Sequence, residues 1–362
     1  MNNLSDVSGS ILLRCSMTGH HDFIFTYIPV VYSFNFVIGI VGNSMVVAVI
    51  HYYLKLKTVA NIFVLNLAVS DLTFLVTLPI WATSTATRYS WPFGSFLCKA
   101  TAGLSLFNLY TSIFFLTALS IDRYLAIVYP VQSRQCRTVA YARMICVLIW
   151  TIAFLLSIPT TLIRDTIHIK NTNTTVCGLL TNDSQTNRVQ HMLVALSLMK
   201  SIVGFLVPLI IILTCYCLIG RALLSARGIQ RSTRSHGDEV LNMLASAVLC
   251  FFFCWAPHQI FSFMDMLLML KVINDCHIMD VIDTAMPFTI CIAFFNSCMN
   301  PILYSFVGKN FRRGLLRLLR CLGPTPAASH PSLSTKMSSL SYRASETVHL
   351  TVGKTASLPR TT

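Results

Sequence analysis

The 362-residue sequence predicts an all-α membrane protein: a bundle of seven transmembrane helices followed by a short amphipathic helix. Two observations carry that prediction. Hydrophobic residues make up 54% of the chain and charged residues 11%, too little polar surface to cover a water-exposed globule. The charges are also unevenly placed, leaving seven long stretches nearly free of Lys, Arg, Asp and Glu.

Taken in order, Tyr27 to Leu54 has no such residue, and Ile62 to Thr87 has only Asp71. Ala100 to Ile121 and Met144 to Ile163 have none. Val189 to Gly220 has only Lys200, and Val240 to Met264 has none. Ile278 to Tyr304 carries two acids near its start and then runs clean. At ~1.5 Å per residue, each can cross a hydrocarbon core of roughly 30 Å. No water is available there to bond backbone groups, so each run must be helical. The expected organisation is an extracellular N-terminus over 1–26 and a helical domain over 27–307. A membrane-surface helix over 308–321 and a disordered, Ser/Thr-rich cytoplasmic tail over 322–362 follow.

Orientation is set by the Lys/Arg bias. With the N-terminus outside, the outer segments carry Arg14, Arg88, Lys99, Arg164, Lys170, Arg188 and Lys271. The inner connections and tail carry more, among them Lys55, Lys57, Arg134, Arg137, Arg143, Arg221, Arg227, Arg231 and Arg234. The net charge of +14 thus marks the inner leaflet of the plasma membrane. Basic residues scattered over short loops make nucleic acid a poor partner. Residues 1–25 lack the apolar core of a cleavable signal peptide, so the first span is expected to act as its own insertion signal. Asn3, Asn173 and Asn182 sit in glycosylation sequons, all on the side placed outside.

Of 13 cysteines, Cys15, Cys98, Cys177 and Cys276 fall in extracellular segments, an oxidising compartment where an even number suggests two bridges. Spacing leaves all three pairings open. Cys136, Cys146, Cys215, Cys217, Cys250, Cys254, Cys291, Cys298 and Cys321 should stay reduced, and no Cys/His spacing suggests a zinc site. Cys321 closes the basic amphipathic stretch from Lys309 to Arg320, which suits palmitoylation at the membrane surface.

Ionisable groups inside a membrane are costly to bury and mark function by default. The third span ends in Asp122-Arg123-Tyr124, and the seventh in Asn300-Pro301-x-x-Tyr304. The sixth carries Phe251-x-x-Cys254-Trp255-x-Pro257, the first Gly42-Asn43, and the second Leu67-Ala68-x-x-Asp71. In this order and on these spans, the five motifs resemble the rhodopsin-like (class A) G-protein-coupled receptors over residues 25–321. Asp122 can hold Arg123 in a charge-assisted pair, and Pro257 and Pro301 permit kinks. The resemblance implies a switch made of these residues with Trp255 and Tyr216. It also implies a polar cluster of Asp71, Asn108, Ser112, Asn296 and Asn300 able to host an allosteric sodium ion; no other cofactor is expected. The alternative is that these side chains are only interhelical glue.

Lys200 lies eight residues before Pro208, roughly 12 Å along the helix, at the depth of an outer vestibule, and could instead snorkel to the surface. Arg164 would join it as an anion clamp, while Asp265 and Asp283 supply the opposite sign. The outer half of the third span has no acid, which argues against a small amine and for a peptide with a terminal carboxylate and a cationic side chain. Lys55-Leu-Lys-Thr-Val-Ala60, Trp91-Pro-Phe-Gly94, Ser120-Ile-Asp-Arg-Tyr-Leu-Ala-Ile-Val128, Pro257-His-Gln-Ile-Phe261 and Asp283-Thr-Ala-Met-Pro287 resemble the angiotensin receptors within that family. So do the tail strings Leu333-Ser-Thr-Lys-Met337 and Leu340-Ser-Tyr-Arg343.

That resemblance implies that Lys200 and Arg164 bind the carboxylate of angiotensin II and that Asp265 and Asp283 engage its arginine. Tyr32, Trp81 and Met286 would line the pocket, with Asn108 and Trp255 beneath. It pairs Cys98 with Cys177 and Cys15 with Cys276. It further implies a Gq-type G protein and calcium signalling, with desensitisation by receptor kinases and arrestin at Ser332, Ser334, Thr335, Ser338, Ser339 and Ser341. The sequence departs from the family pattern at Ser297, where a second Asn is usual, and at Ser84, Ser105 and Leu179. These changes imply a non-mammalian form that binds the peptide but resists sartan-type antagonists. A bradykinin- or apelin-like receptor shares the topology; Lys200 with Arg164 separates them. A transporter would show repeats and broken helices, and a channel a continuous polar stripe. No nucleophile sits beside a base, so no enzyme is expected.

Overall fold

A computed structural model describes residues 22–54, 56, 58–169, 174–179, 186–225 and 234–322. Seven of its helices are long and apolar enough to cross a membrane: Ile24–Leu54, Val59–Ala86, Gly94–Val128, Val139–Ile163, Gln190–Ser225, Leu241–Met269 and Cys276–Phe306. Each matches one charge-poor stretch, but several overrun it. The third continues through Asp122-Arg123-Tyr124 because charge does not end a helix. It stops at Tyr129, whose position before Pro130 disfavours helical backbone.

Prolines shape the spans locally. The fifth widens into a π-helical turn over Ile202–Leu206, just before Pro208, which cannot donate to the preceding turn. The second relaxes at Val76-Thr77 before restarting at Leu78-Pro79, and the Thr77 hydroxyl donates to the Phe74 carbonyl at 2.7 Å. Pro257 lies inside the sixth helix, and Pro287 and Pro301 inside the seventh.

The third span is the axis of the bundle, packing against the second, fourth, fifth and sixth. Leu109, Ile113, Leu116 and Leu119, at helical spacing along it, are essentially inaccessible. Exposed Val30, Phe34, Val37 and Val41 form a matching stripe on the first span, facing outward. Such a stripe suits lipid, where apolar side chains are the solvated ones.

After the seventh span, Lys309–Leu322 forms the expected amphipathic helix. Phe311 and Gly314 face the bundle, while Arg312, Arg313, Arg317 and Arg320 are exposed. A Cβ on Gly314 would stand 2.8 Å from Val49, so glycine permits this close approach. The chain divides into two units, Met1–Arg320 and Cys321–Thr362; in the second, only Cys321 and Leu322, the last helical residues, are described. Asn3, Cys15, Asn173, Asn182, the tail serines and threonine, and the Cys321 side chain lie outside what is described.

A β-hairpin, absent from the expected organisation, follows the fourth span. β1 (Arg164–Ile169) and β2 (Thr174–Leu179) pair antiparallel with Thr166 opposite Cys177. A Cys98–Cys177 disulfide ties the hairpin to the start of the third span, as the resemblance implied. Cys276 is also disulfide-bonded. The Trp91 backbone N–H donates to the Thr175 carbonyl at 2.7 Å, and Lys99 pairs with Asp165 at 2.8 Å. Lys99, with help from Ser95 and the Thr166 backbone, holds the Asp165 carboxyl well below the usual carboxylate range.

Gly103 sets the spacing of the third and fourth spans. A Cβ there would lie 2.3 Å from the Thr161 hydroxyl, which donates to the Ser157 carbonyl at 2.9 Å. Gly103→Val should therefore lower the unfolding midpoint of detergent-solubilised protein, through an overpacking cost of about 1–3 kcal/mol. An unchanged midpoint in a thermal-shift measurement would contradict the packing described.

Candidate functional site

The polar residues singled out from sequence fall into three places along the bundle axis. At the hairpin face lies a cavity of about 260 Å³, lined by Arg164, Lys200, Trp255 and His258 among apolar neighbours. Its two cations come from different elements, Arg164 from the first residue of β1 and Lys200 from the fifth span. The Lys200 ammonium donates to the Ser262 hydroxyl at 3.0 Å. The Arg164 Nε is buried with no partner, and burial lowers the guanidinium's affinity for its proton. Salt bridges among the described residues leave both cations without a carboxylate. Buried donors without acceptors are costly, and the Arg164 Nε is one of them.

Trp255 lines the same cavity, with its ring 6.1 Å from both Phe251 and His258. Asp265 lies within electrostatic reach of Lys200 and of Asp283, which is exposed. Neither acid lines the cavity. Nor do Tyr32, Trp81 and Met286: the Tyr32 ring packs against Phe294 at 5.7 Å, and Trp81 tilts against Trp91 at 5.5 Å. His258 and Phe294 are lining residues that sequence reasoning missed. An apolar helix gives no sign of which face a lone histidine presents. Ser105 and Leu179 also line the cavity, so two departures from the family pattern fall on its wall.

One level down, Asp71 joins three spans. Its carboxylate accepts from Asn108 at 3.0 Å and from Asn300 at 3.0 Å, with no side-chain exposure. Ser297 donates to the Asn108 carbonyl oxygen at 3.2 Å, so the hydroxyl still reaches the third span. Asn43 donates to the backbone carbonyls of Gly39 and Ser297, tying the first span to the seventh. Ser70 and Thr111 share a short hydroxyl contact beside Asn108. The Ser112 hydroxyl and the carbonyl oxygens of Asn296 and Asn300 are buried and unpartnered. Asn108 belongs to this cluster and does not line the cavity above.

At the opposite face, Asp122 pairs with Arg123 at 2.5 Å, as expected. It also receives Arg137 through two bonds, at 2.7 and 2.9 Å, a partner the sequence did not reveal. Tyr216, on the fifth span, lies near Arg123 and Ser120. Tyr304 is buried and meets Phe311 edge-on at 6.1 Å. Tyr124 packs edge-on against Tyr129 at 5.8 Å.

Seven membrane-length helices, with a cation-lined cavity at one face, an ionic cluster at the other and a buried polar joint between them, match a seven-span membrane receptor. Residues 42–304 match the 7 transmembrane receptor (rhodopsin family), and the chain belongs to that family. It is 52% identical over 347 residues to the type-1 angiotensin II receptor of Gallus gallus, covering 96% of this chain and 95% of the relative. It is 53% identical over 344 residues to that of Meriones unguiculatus, covering 95% and 94%. To the human type-1 angiotensin II receptor it is 51% identical over 342 residues, covering 94% of each. This membership makes the chain a receptor and not an enzyme.

Proposed function

We propose that the chain is a plasma-membrane receptor for angiotensin II, with its N-terminus and hairpin face extracellular, acting mainly through a Gq-type G protein. The carrying observation is the pair of carboxylate-free cations, Lys200 and Arg164, lining one cavity above Trp255. A peptide's terminal carboxylate would satisfy both, by charge-assisted bonds stronger than neutral ones. Asp265 and Asp283, nearer the surface, have the sign to take the peptide's arginine. The names of the relatives support the same ligand.

Ligand seated on Trp255 would bias the sixth span at Pro257. The polar joint at Asp71 would relay the change, and the Asp122–Arg123 pair would open toward the G protein. A sodium ion fits the joint by donor chemistry: one carboxylate, a hydroxyl and amide carbonyls, all oxygen and partly unpartnered. Asp71, Ser112, Asn296 and Asn300 would hold it and favour the closed arrangement. Tail phosphorylation by receptor kinases, arrestin binding and palmitate on Cys321 complete the proposed regulation.

Cells transfected with the chain should show a cytosolic calcium rise on addition of angiotensin II. Surface expression without that response would overturn the ligand or coupling assignment. A response to a bradykinin- or apelin-type peptide instead would redirect the ligand assignment while leaving the receptor class intact.

A further inference from the structure

Asp122 has more cation around it than a simple two-residue pair needs. Its side chain is 5% exposed, and its two oxygens receive three bonds. Arg137 Nε reaches Oδ1 at 2.7 Å and Arg137 Nη2 reaches Oδ2 at 2.9 Å, a fork-on-fork geometry. Arg123 adds one bond, from Nη2 to Oδ2 at 2.5 Å, while its Nε is buried without a partner. Arg137 caps the short helix Pro130–Cys136, and its backbone N–H donates to the Ser133 carbonyl at 2.9 Å. The connection after the third span therefore delivers a second guanidinium to the same carboxylate.

From this sharing we infer that Arg137 is a positioning residue that sets how easily Arg123 is released. An isolated Asp122–Arg123 pair could open only by stranding a buried carboxylate, which is strongly unfavourable. With Arg137 already engaging both oxygens, Asp122 stays neutralised when Arg123 leaves, and only one bond is lost. Arg137 thus competes with Arg123 and lowers the threshold for opening. The inference rests on the proposed reading of Arg123 as the gate to the G protein.

Arg137→Met keeps the length of the side chain and removes the fork. In purified receptor carrying spin labels as non-natural residues at exposed Tyr141 and Asn242, the agonist-free open fraction should fall by roughly five-fold, the factor for an ion pair worth about 1 kcal/mol. Arg137→Lys, with charge but no fork, should restore part of it. In an Asp122→Asn background, Arg137→Met should change the open fraction little, because the contested carboxylate is gone. A rise or no change with Arg137→Met overturns the inference, and so does an equal fall in both backgrounds, which would make Arg137 mere support for the loop. Nucleotide exchange on a purified Gq-type protein, run alongside, separates the two claims. Label distances that behave as expected without any exchange count against the transducer assignment, not against Arg137.

Discussion

Lys200→Ala is expected to weaken angiotensin II binding more than any other single truncation in the cavity. The lysine is part-buried, donates to the neutral Ser262 hydroxyl, and lines the cavity with Arg164. Removing one partner from a desolvated charge pair costs about 2–5 kcal/mol, or roughly thirty-fold to several-thousand-fold in affinity. The loss should be specific to the peptide's carboxylate. A peptide amidated at its C-terminus should bind the wild type poorly and lose little more on Lys200→Ala. Competition binding with both peptides on both receptors checks this. Independent, additive losses would show that Lys200 acts on another part of the ligand or on the fold.

The second large effect is expected at Asp71. Asp71→Ala removes the acceptor of both Asn108 and Asn300, each fully inside the bundle. Stranded buried donors cost about 1–3 kcal/mol each, so the unfolding midpoint should drop by several degrees. Asp71→Asn keeps the volume and one carbonyl acceptor and should cost less. The two variants also separate structure from ion binding. Wild type should be stabilised when sodium replaces a large organic cation at constant ionic strength, and both variants should lose that increment. A sodium effect persisting in Asp71→Asn would remove the ion from this cluster. A wild type indifferent to sodium would remove it from the proposal altogether.

The two sites differ in how far sequence could reach. Asp71 and Asn300 were legible because an ionisable group in an apolar run has few interpretations, and a membrane forces it to find partners. Arg123 was legible with its neighbour Asp122 for the same reason. Arg137 was not, because a basic residue in a short loop is expected on orientation grounds alone. Only the turn at Pro130 brings it back onto the carboxylate. For Asn108 the sequence offers both pocket and switch; in the structure it bonds Asp71 and does not line the cavity. Tyr32, Trp81 and Met286 are expected at the pocket wall, yet Phe294 lines the cavity and Tyr32 packs against that ring.

By itself the sequence determined the solvent, the number of spans and the identity of the charged groups that must be held inside them. Those follow from composition and length, because lipid offers no hydrogen bonds and tolerates few charges. The tertiary structure decided which of those groups meet. It brought Arg164, on a disulfide-tethered hairpin, to the same cavity as Lys200, and gave Asp122 two arginines instead of one. Such meetings depend on helix rotation, on glycine-permitted approach and on loop geometry. A difference of one residue in rotation turns a side chain by about 100°, and no single-chain pattern fixes that angle.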